Sequence, residues 1–352
     1  MSLSTIERVF SDVFTHAVHA RELSVVWHSG EPLTLSPNYY QQAIDLIYRL
    51  RNEYATTEVD LTFDFQTNAV LISDQWVRFF KSNEDVVRLG VSCDGPSHIH
   101  DAYRTNWGRK PTHEKVLRGM SLLRDNRIRF KVIAVVTEAT MRDPDGFLDF
   151  FADWFEFLNG FHFNVLADGS LAEEPKLNYN RSDGPSYYRF YRHLLQRTGE
   201  LASSGFAIQN FTQAIDRLLD DTVGRVEHAS QPARTINVDA QGTVTTFYAG
   251  LDRSTFPEQY GDGLGLSLGN INATSLADMF TTKKFKQIHS DFKACQDRCS
   301  KHCDYFKLCP GGFELSQLSE HGAFRGDETK ECKIIVKTLM DALLDDINER
   351  VA

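Results

Sequence analysis

The stretch SVVWHSGEP at residues 24–32 is an apolar run that stops at a glycine and continues into a polar turn. A short apolar run that ends in this way is typical of a buried β-strand. Further strand patterns follow at residues 59–67, 86–95, 129–137 and 161–166. Helical patterns lie between and after them, at residues 36–54, 75–82, 112–126, 145–158 and 185–203. This alternation predicts parallel strands covered by helices.

The predicted fold class is α/β. A helical pattern at residues 2–18 precedes the first strand, whereas a barrel of this kind opens with a strand. We therefore expect a partial (β/α)6 TIM-type barrel that lacks its first strand, at residues 1–205. Residues 206–352 predict a small cysteine-rich domain with a β-hairpin at 235–248, a glycine-rich loop at 261–271 and short helices.

The bulk composition excludes some classes of protein. The 352 residues carry a formal net charge of −10, which argues against nonspecific nucleic-acid binding. The sequence has no apolar stretch near the roughly 18 residues of a membrane span, and its start lacks a signal-peptide pattern. We predict a cytoplasmic protein whose partners are neither membranes nor nucleic acids.

The cysteines are unevenly placed. Cys93 stands apart, and we expect a small buried residue there. The other five lie in the final 58 residues: Cys295, Cys299, Cys303, Cys309 and Cys332. Such clustering in a reducing compartment favours metal binding over disulfides. Four converging thiolates suit a Cys₄ zinc or an iron–sulfur cluster equally well, so spacing leaves both open.

Polar groups recur where the predicted strands end. They are His28 to Pro32, Gln66 to Asn68, Ser92 to Gly95, and Asn164. The carboxyl ends of barrel strands meet on one face, so these groups predict a polar ring there. Each group alone fits a hydrogen-bonded turn equally well. Arg104 is long enough to reach a carboxylate in that ring, or it is a surface charge.

These residues resemble the motifs of radical S-adenosylmethionine (SAM, AdoMet) enzymes. Ser29 to Pro32 is similar to the family's GGEP motif, with serine for the first glycine. Gln66 to Ala69 is similar to QTNG, with alanine for glycine. Ser92 to Pro96 is similar to S-[IL]-D-G-P. The C-terminal region resembles the SPASM/twitch auxiliary-cluster domain, so the resemblance covers essentially the whole chain.

The resemblance implies where cofactor would bind. Ser29, Gly30 and Glu31 would hold the amino group of SAM, and Ser92 and Arg104 its carboxylate or ribose. The full implied cofactor set is Ser29, Gly30, Glu31, Pro32, Gln66, Thr67, Asn68, Ser92 and Arg104. Asp94 is implied as a polar catalytic-site residue.

The resemblance also implies one auxiliary [4Fe–4S] cluster. Cys299, Cys303, Cys309 and Cys332 match its ligand set, and Cys295 is a spare thiol or an alternate ligand. Phe247, Tyr248 and Phe313 stand where a further auxiliary cluster would have cysteines, so we expect none.

The radical-generating cluster of this family is held by a C-x₃-C-x₂-C loop, and no cysteine precedes Cys93 here. We therefore expect Met1 to be an internal methionine of a longer form, which alone would carry the second [4Fe–4S] cluster. This chain by itself would not cleave SAM.

The implied function is maturation of a ribosomally made peptide or a protein, as by the anaerobic sulfatase-maturating type. A radical derived from SAM would abstract a hydrogen, with flavodoxin or ferredoxin as electron donor. One alternative is a non-catalytic peptide-binding module with a structural Cys₄ zinc or iron–sulfur site. Another is a fragment that does not fold stably, because its barrel leaves an open edge.

Overall fold

Five parallel strands form the main sheet of the protein. The computed structural model describes residues 1–17, 21–165, 184–201, 205–219, 233–246, 256–309, 313–324 and 328–352. The strands are β1 (Glu22–Trp27), β2 (Asp60–Thr67), β3 (Val87–Ser92), β4 (Phe130–Val136) and β5 (Leu158–Val165). Their order across the sheet is their order along the chain, and every pair is parallel. The predicted α/β class and the five strands are confirmed.

Helices connect the strands, as parallel pairing requires. In order they are α1 (Leu3–Asp12), α2 (Pro37–Tyr54), α3 (Asp74–Ser82), α4 (Ser97–His100), α5 (His113–Asp125), α6 (Glu138–Arg142), α7 (Pro144–Ala152), α8 (Gly184–Leu201) and α9 (Gln209–Leu219). A π-helical turn, Val13–Ala17, extends α1. The Ser36 hydroxyl accepts from the Tyr39 amide and begins α2, as predicted. The short helices α4 and α6 were not predicted, because one helical turn leaves no 3.6-residue period to detect.

Strands β2 to β5 each have one buried side and one accessible side, whereas β1 alternates half-buried and exposed residues. Side chains alternate along a strand, so every second residue packs under the helices. The buried set includes Phe63, Phe65, Val91, Val132, Ala134 and Phe161. The opposite side, here named the open face, is half-buried or exposed and carries Asp64, Gln66, Arg88, Ser92, Lys131, His162 and Asn164. The register places Gln66 beside Gly90 and Ile133 beside His162 across that face.

The edge of β5 is covered by a side chain. Asn210 of α9 accepts from the Phe163 amide at 2.9 Å and donates to the Phe163 carbonyl at 2.8 Å. Its amide thus satisfies the groups that a sixth strand would bind. An edge capped in this way is protected from pairing with another chain.

The second part of the chain holds a small antiparallel sheet. The hairpin of β6 (Ile236–Val238) and β7 (Thr243–Thr246) was predicted, although Phe247 and Tyr248 lie outside the described residues. The glycine-rich segment was expected to be a loop throughout. Its end instead forms a third strand, β8 (Gly269–Asn270), because the Leu268 and Ile271 amides bond to carbonyls of Val244 and Gly242.

The remaining helices are α10 (Leu276–Thr281), α11 (Lys283–His302), α12 (Glu314–His321), α13 (Lys330–Cys332) and α14 (Leu339–Val351), with a π-helical segment, Lys333–Thr338, before α14. The helix α11 has 20 residues and runs through the first cysteines, where only a short helix was expected. The main hydrophobic core continues from Ile6 to Leu343, and the division at 205/206 stays a prediction. Within the described residues, no helix is long and apolar enough to cross a membrane.

Candidate functional site

Glu31 ties the end of β1 to the end of β2. Its carboxylate accepts from the Leu33 amide at 3.0 Å, the Thr67 hydroxyl at 2.7 Å and the Asn68 amide at 2.8 Å. The first of these bonds caps the 3₁₀ turn Pro32–Thr34. Three donors occupy most of the four acceptor positions of a carboxylate. Glu31 therefore acts first as a brace of this edge, with one position left for a ligand.

Two consecutive residues before Glu31 adopt left-handed backbone conformations. Ser29 has φ of 65° and Gly30 has φ of 78°. The Ser29 hydroxyl lies 3.0 Å from His28 Nδ1, and a side chain built on Gly30 would meet nothing within 4 Å. Such a turn leaves its backbone groups accessible to a ligand, which fits the predicted role of this motif.

Gln66 and Ser92 are joined across the sheet. Gln66 Nε2 donates to Ser92 Oγ at 2.9 Å. The amide lies over Gly90, where a Cβ would be only 2.3 Å from Gln66 Oε1. Gly90 therefore lets two predicted cofactor residues meet on the open face.

The turn after β2 also depends on a glycine elsewhere. Ala69 has φ of 59° and is fully buried, in the position where the family motif has glycine. The Ala69 carbonyl lies so close to α5 that a Cβ on Gly119 would approach it to 2.2 Å. The turn that contains Ala69 can therefore pack against α5 because the facing helix residue, Gly119, has no side chain.

Asp94 and Arg104 form a bidentate ion pair. Arg104 Nε donates to Asp94 Oδ2 at 2.5 Å and Nη2 donates to Oδ1 at 2.9 Å. Asp94 is 2% exposed, and its Oδ1 also accepts from the Val135 amide at 2.8 Å. Three donors of its own chain therefore bind this buried carboxylate, and its role as a catalytic-site residue stays a prediction. The pair leaves Arg104 Nη1 for a ligand.

Two residues that the sequence did not identify as site residues, His100 and Thr112, form hydrogen bonds beside the Asp94–Arg104 pair. His100 Nδ1 accepts from the Asp94 amide at 3.3 Å, and His100 Nε2 lies 3.2 Å from Thr112 Oγ1. Burial lowers the pKa of His100 to about 4, so the ring is neutral near pH 7. Thr112 stands at the N-cap of α5, but its hydroxyl donates to the Arg104 carbonyl at 2.8 Å. Asp101 accepts from the first amides of α5 instead.

Other strand-end residues take the places that the sequence suggested. Cys93 is fully buried, and burial raises the pKa of its thiol to about 12, which suits an inert core residue. Asn164 is exposed on the open face of β5.

Four of the five clustered cysteines line one cavity. Cys299 lies in the last turn of α11, and Cys303 is the residue that follows this helix. Cys309 lies in the segment between α11 and α12, and Cys332 is the last residue of α13. The cavity has a volume of about 240 Å³. Arg298 and Lys337 also line it, and cationic groups there would offset the charge of thiolates.

Cys295 is not among the residues that line this cavity. It lies one helical turn before Cys299 and is 2% exposed. Its role as a spare thiol or an alternate ligand stays a prediction. Gly311 and Gly312, which follow Cys309 in the sequence, lie outside the described residues.

Cysteine thiolates bind both iron–sulfur clusters and structural zinc, so the four cysteines around this cavity fit either group. Among the described residues, no three histidine, cysteine or acidic side chains stand close enough together to hold one metal ion. Burial first, and then the neighbouring thiols, raises the pKa of Cys332 to about 12, a penalty that metal binding would remove.

Comparison with known proteins finds similarity to radical SAM proteins. Residues 7–151 match the Radical SAM superfamily. An uncharacterized protein of Synechocystis sp. is 29% identical over 354 residues, which are 99% of this chain and 85% of the relative. The serine-type anaerobic sulfatase-maturating enzyme of Bacteroides thetaiotaomicron is 26% identical over 336 residues, 91% of this chain and 75% of that enzyme.

Solved structures share the fold. The structure of anSMEcpe with bound AdoMet has a TM-score of 0.75 at 21% identity and covers 99% of this chain and 87% of its own. Streptococcus suis SuiB bound to precursor peptide SuiA has a TM-score of 0.53 at 14% identity, and the match covers 95% of this chain and 69% of the SuiB chain. These findings agree with the strand-end motifs described above. Residues 7–151 therefore belong to the radical SAM superfamily, within a chain related over most of its length to the anaerobic sulfatase-maturating enzymes.

Proposed function

We propose that this chain is the cofactor-binding and substrate-binding part of a radical SAM maturase that modifies a side chain of a peptide or protein. The observation that carries the proposal is the arrangement of four cysteines around one cavity, in a chain with a radical SAM domain. Sulfatase-maturating enzymes among its relatives, and a neighbour that holds a precursor peptide, support a peptide substrate.

The carboxyl edge of the sheet would hold AdoMet. AdoMet bound there would supply the radical that abstracts a hydrogen atom only where a [4Fe–4S] cluster reduces it, and this sequence has no cysteine before Cys93 to hold that cluster. The protein's own share is binding and orientation. Glu31 fixes the Pro32–Thr34 turn. The Ser29–Gly30 backbone would hold the amine of AdoMet, and Arg104 Nη1 would hold its carboxylate. A reduced flavodoxin or ferredoxin would deliver the electron.

The open face would receive the peptide. Asp64 and Arg88 lie side by side across β2 and β3, and Lys131 and His162 lie on β4 and β5. Burial, and then the charge of Lys131, lowers the pKa of His162, so a neutral imidazole lies beside this cation. Accessible groups of both signs suit a polar, extended peptide rather than an apolar ligand.

Cys299, Cys303, Cys309 and Cys332 would hold an auxiliary [4Fe–4S] cluster, which supplies a second redox centre when bound. The competing function is a peptide-binding module with structural zinc. Anaerobic reconstitution with iron and sulfide, followed by metal analysis, separates the two. We expect about four irons and four sulfides per chain, with an EPR signal on reduction.

The ligand assignment has matched controls. Cys299→Ala and Cys332→Ala should lower the bound iron sharply, whereas Cys93→Ala and Cys295→Ala should retain it. About one zinc per chain without sulfide would contradict the proposal and favour the binding module. Iron that persists in both ligand variants would contradict it as well.

A further inference from the structure

A closed ring of hydrogen bonds surrounds the end of β3. It runs from the Asp94 carboxylate to the Arg104 guanidinium, from the Arg104 carbonyl to the Thr112 hydroxyl, through His100, and back to the Asp94 amide. Each donor in the ring meets one acceptor, and the Arg104–Asp94 link is made twice. Arg104 is therefore held at both its side chain and its main chain.

The ring fixes the tautomer of His100. Because Nδ1 accepts from the Asp94 amide, the single proton of the neutral ring lies on Nε2. Nε2–H then donates to Thr112 Oγ1, whose own proton goes to the Arg104 carbonyl. His100 is fully buried, so water cannot replace either partner.

The sequence around the ring is arranged to free the Thr112 hydroxyl. Thr112 stands at the N-cap of α5, where a threonine usually bonds to its own helix. Here Asp101 Oδ1 accepts from the Thr112 amide at 2.8 Å and from the His113 amide at 2.9 Å. A second residue therefore does the capping, which leaves the hydroxyl for Arg104.

We propose that His100 and Thr112 are positioning residues that hold Arg104 Nη1 at the carboxyl edge of β3, ready for the carboxylate of AdoMet. That AdoMet is the ligand rests on the proposed function, whereas the ring of hydrogen bonds is independent of it. Neither residue touches the cofactor in this account. Both act through Arg104, the one cation that the ring orients.

A matched pair of variants tests the inference. Thr112→Val keeps the shape and removes the hydroxyl, whereas Thr112→Ser keeps the hydroxyl. The first readout is the Nε–H NMR signal of Arg104, assigned by its loss in Arg104→Lys. We expect it to broaden or vanish in Thr112→Val and to persist in Thr112→Ser. His100→Leu removes both hydrogen bonds of His100 in the ring and should have the same effect as Thr112→Val. If Thr112→Val does not fold, His100→Leu takes its place in the test.

The second readout is the dissociation constant of AdoMet for the reconstituted chain. Thr112→Val should raise it about five- to tenfold, as loss of one hydrogen bond does, and Thr112→Ser should leave it unchanged. In an Arg104→Ala background, Thr112→Val should add nothing, because its effect passes through Arg104. If the unaltered chain does not bind AdoMet, the proposed function fails and the NMR signal alone decides the inference. An Arg104 signal that persists in Thr112→Val, or an equal loss in both threonine variants, overturns it.

Discussion

The acidic residues at the carboxyl edge of the sheet form hydrogen bonds within their own chain, whether or not a ligand is bound. Glu31 and Asp94 each bind several groups of their own chain, so their charge is satisfied before any cofactor arrives. Buried or half-buried charges persist only when they are paired in this way. The accessible groups are therefore those beside them, the Ser29–Gly30 backbone and Arg104 Nη1. This division of roles explains how a polar edge stays ordered.

His100 makes the stability of the protein depend on pH. Burial lowers its pKa to about 4, while the unfolded chain has the ordinary value of 6.5. Between these two values the unfolded state binds a proton that the folded state excludes, so the free energy of unfolding falls as pH drops from about 6.5 towards 4. The full effect is on the order of 3 kcal/mol, and above pH 6.5 this group contributes no slope. The pKa of His113 is also lowered by burial and adds in the same direction.

Urea unfolding between pH 7.5 and 4.5 measures this dependence. His100→Leu should flatten the curve, because it removes the titrating group, and His16→Gln on the exposed surface should not. An unchanged slope in His100→Leu would show that other groups set the acid sensitivity.

At the scale of elements, α5 and the turn after β2 depend on each other. The Ala69 carbonyl occupies the space that a side chain on Gly119 would need. A glycine inside a helix costs stability by itself, so its presence there needs a packing reason. The close approach of Ala69 supplies that reason, and it brings Thr67 and Asn68 to Glu31.

Gly119→Ala should therefore destabilise the protein. A new Cβ at 2.2 Å from a backbone oxygen forces the helix away from the turn, at a cost of about 1–3 kcal/mol. Gly184→Ala in α8 is the control, since its nearest neighbour would be 3.8 Å away. The urea midpoints of both variants decide the matter: equal midpoints would mean that the turn can move.

The sequence predicted the helices and strands that a periodic pattern or a turn marks. It did not predict the features that depend on tertiary contacts. The five strands were found because each alternates or ends at a polar turn. The strand β8 has two residues, too few for any pattern, and forms through bonds to β7. The spacing of Cys295, Cys299 and Cys303 is one turn of helix each, a signal that could have extended α11. Spacing could not show that Cys295 lies away from the cavity, because that depends on how α11 packs.

The site was predictable in its members but not in their connections. Gln66, Ser92, Asp94 and Arg104 were all named from motifs, and the structure joins Gln66 to Ser92 and Arg104 to Asp94. That Arg104 pairs with Asp94, and that Thr112 serves Arg104 instead of its helix, follows from tertiary contacts between residues many positions apart. Local capping rules cannot anticipate a second cap such as Asp101.

At the scale of the whole molecule, two sites lie in one folded chain. The carboxyl edge of the sheet carries the motif residues, and the cysteine cavity lies between α11 and α13. The core is continuous between the sheet and α14, and the α8 side chain of Tyr188 donates to Asp345 at 2.6 Å. The account's central claim is that the carboxyl edge binds AdoMet while the cavity binds a cluster.

Calorimetric titration of AdoMet into the anaerobically reconstituted chain tests that claim most directly. We predict saturable binding of one AdoMet per chain. Glu31→Gln should weaken it about tenfold, because the amide group would face the donors that the carboxylate now accepts from. Glu138→Gln, which changes only an exposed ion pair with Arg142, should bind as the unaltered chain does. Absence of saturable binding, or equal affinity in Glu31→Gln, would contradict the account.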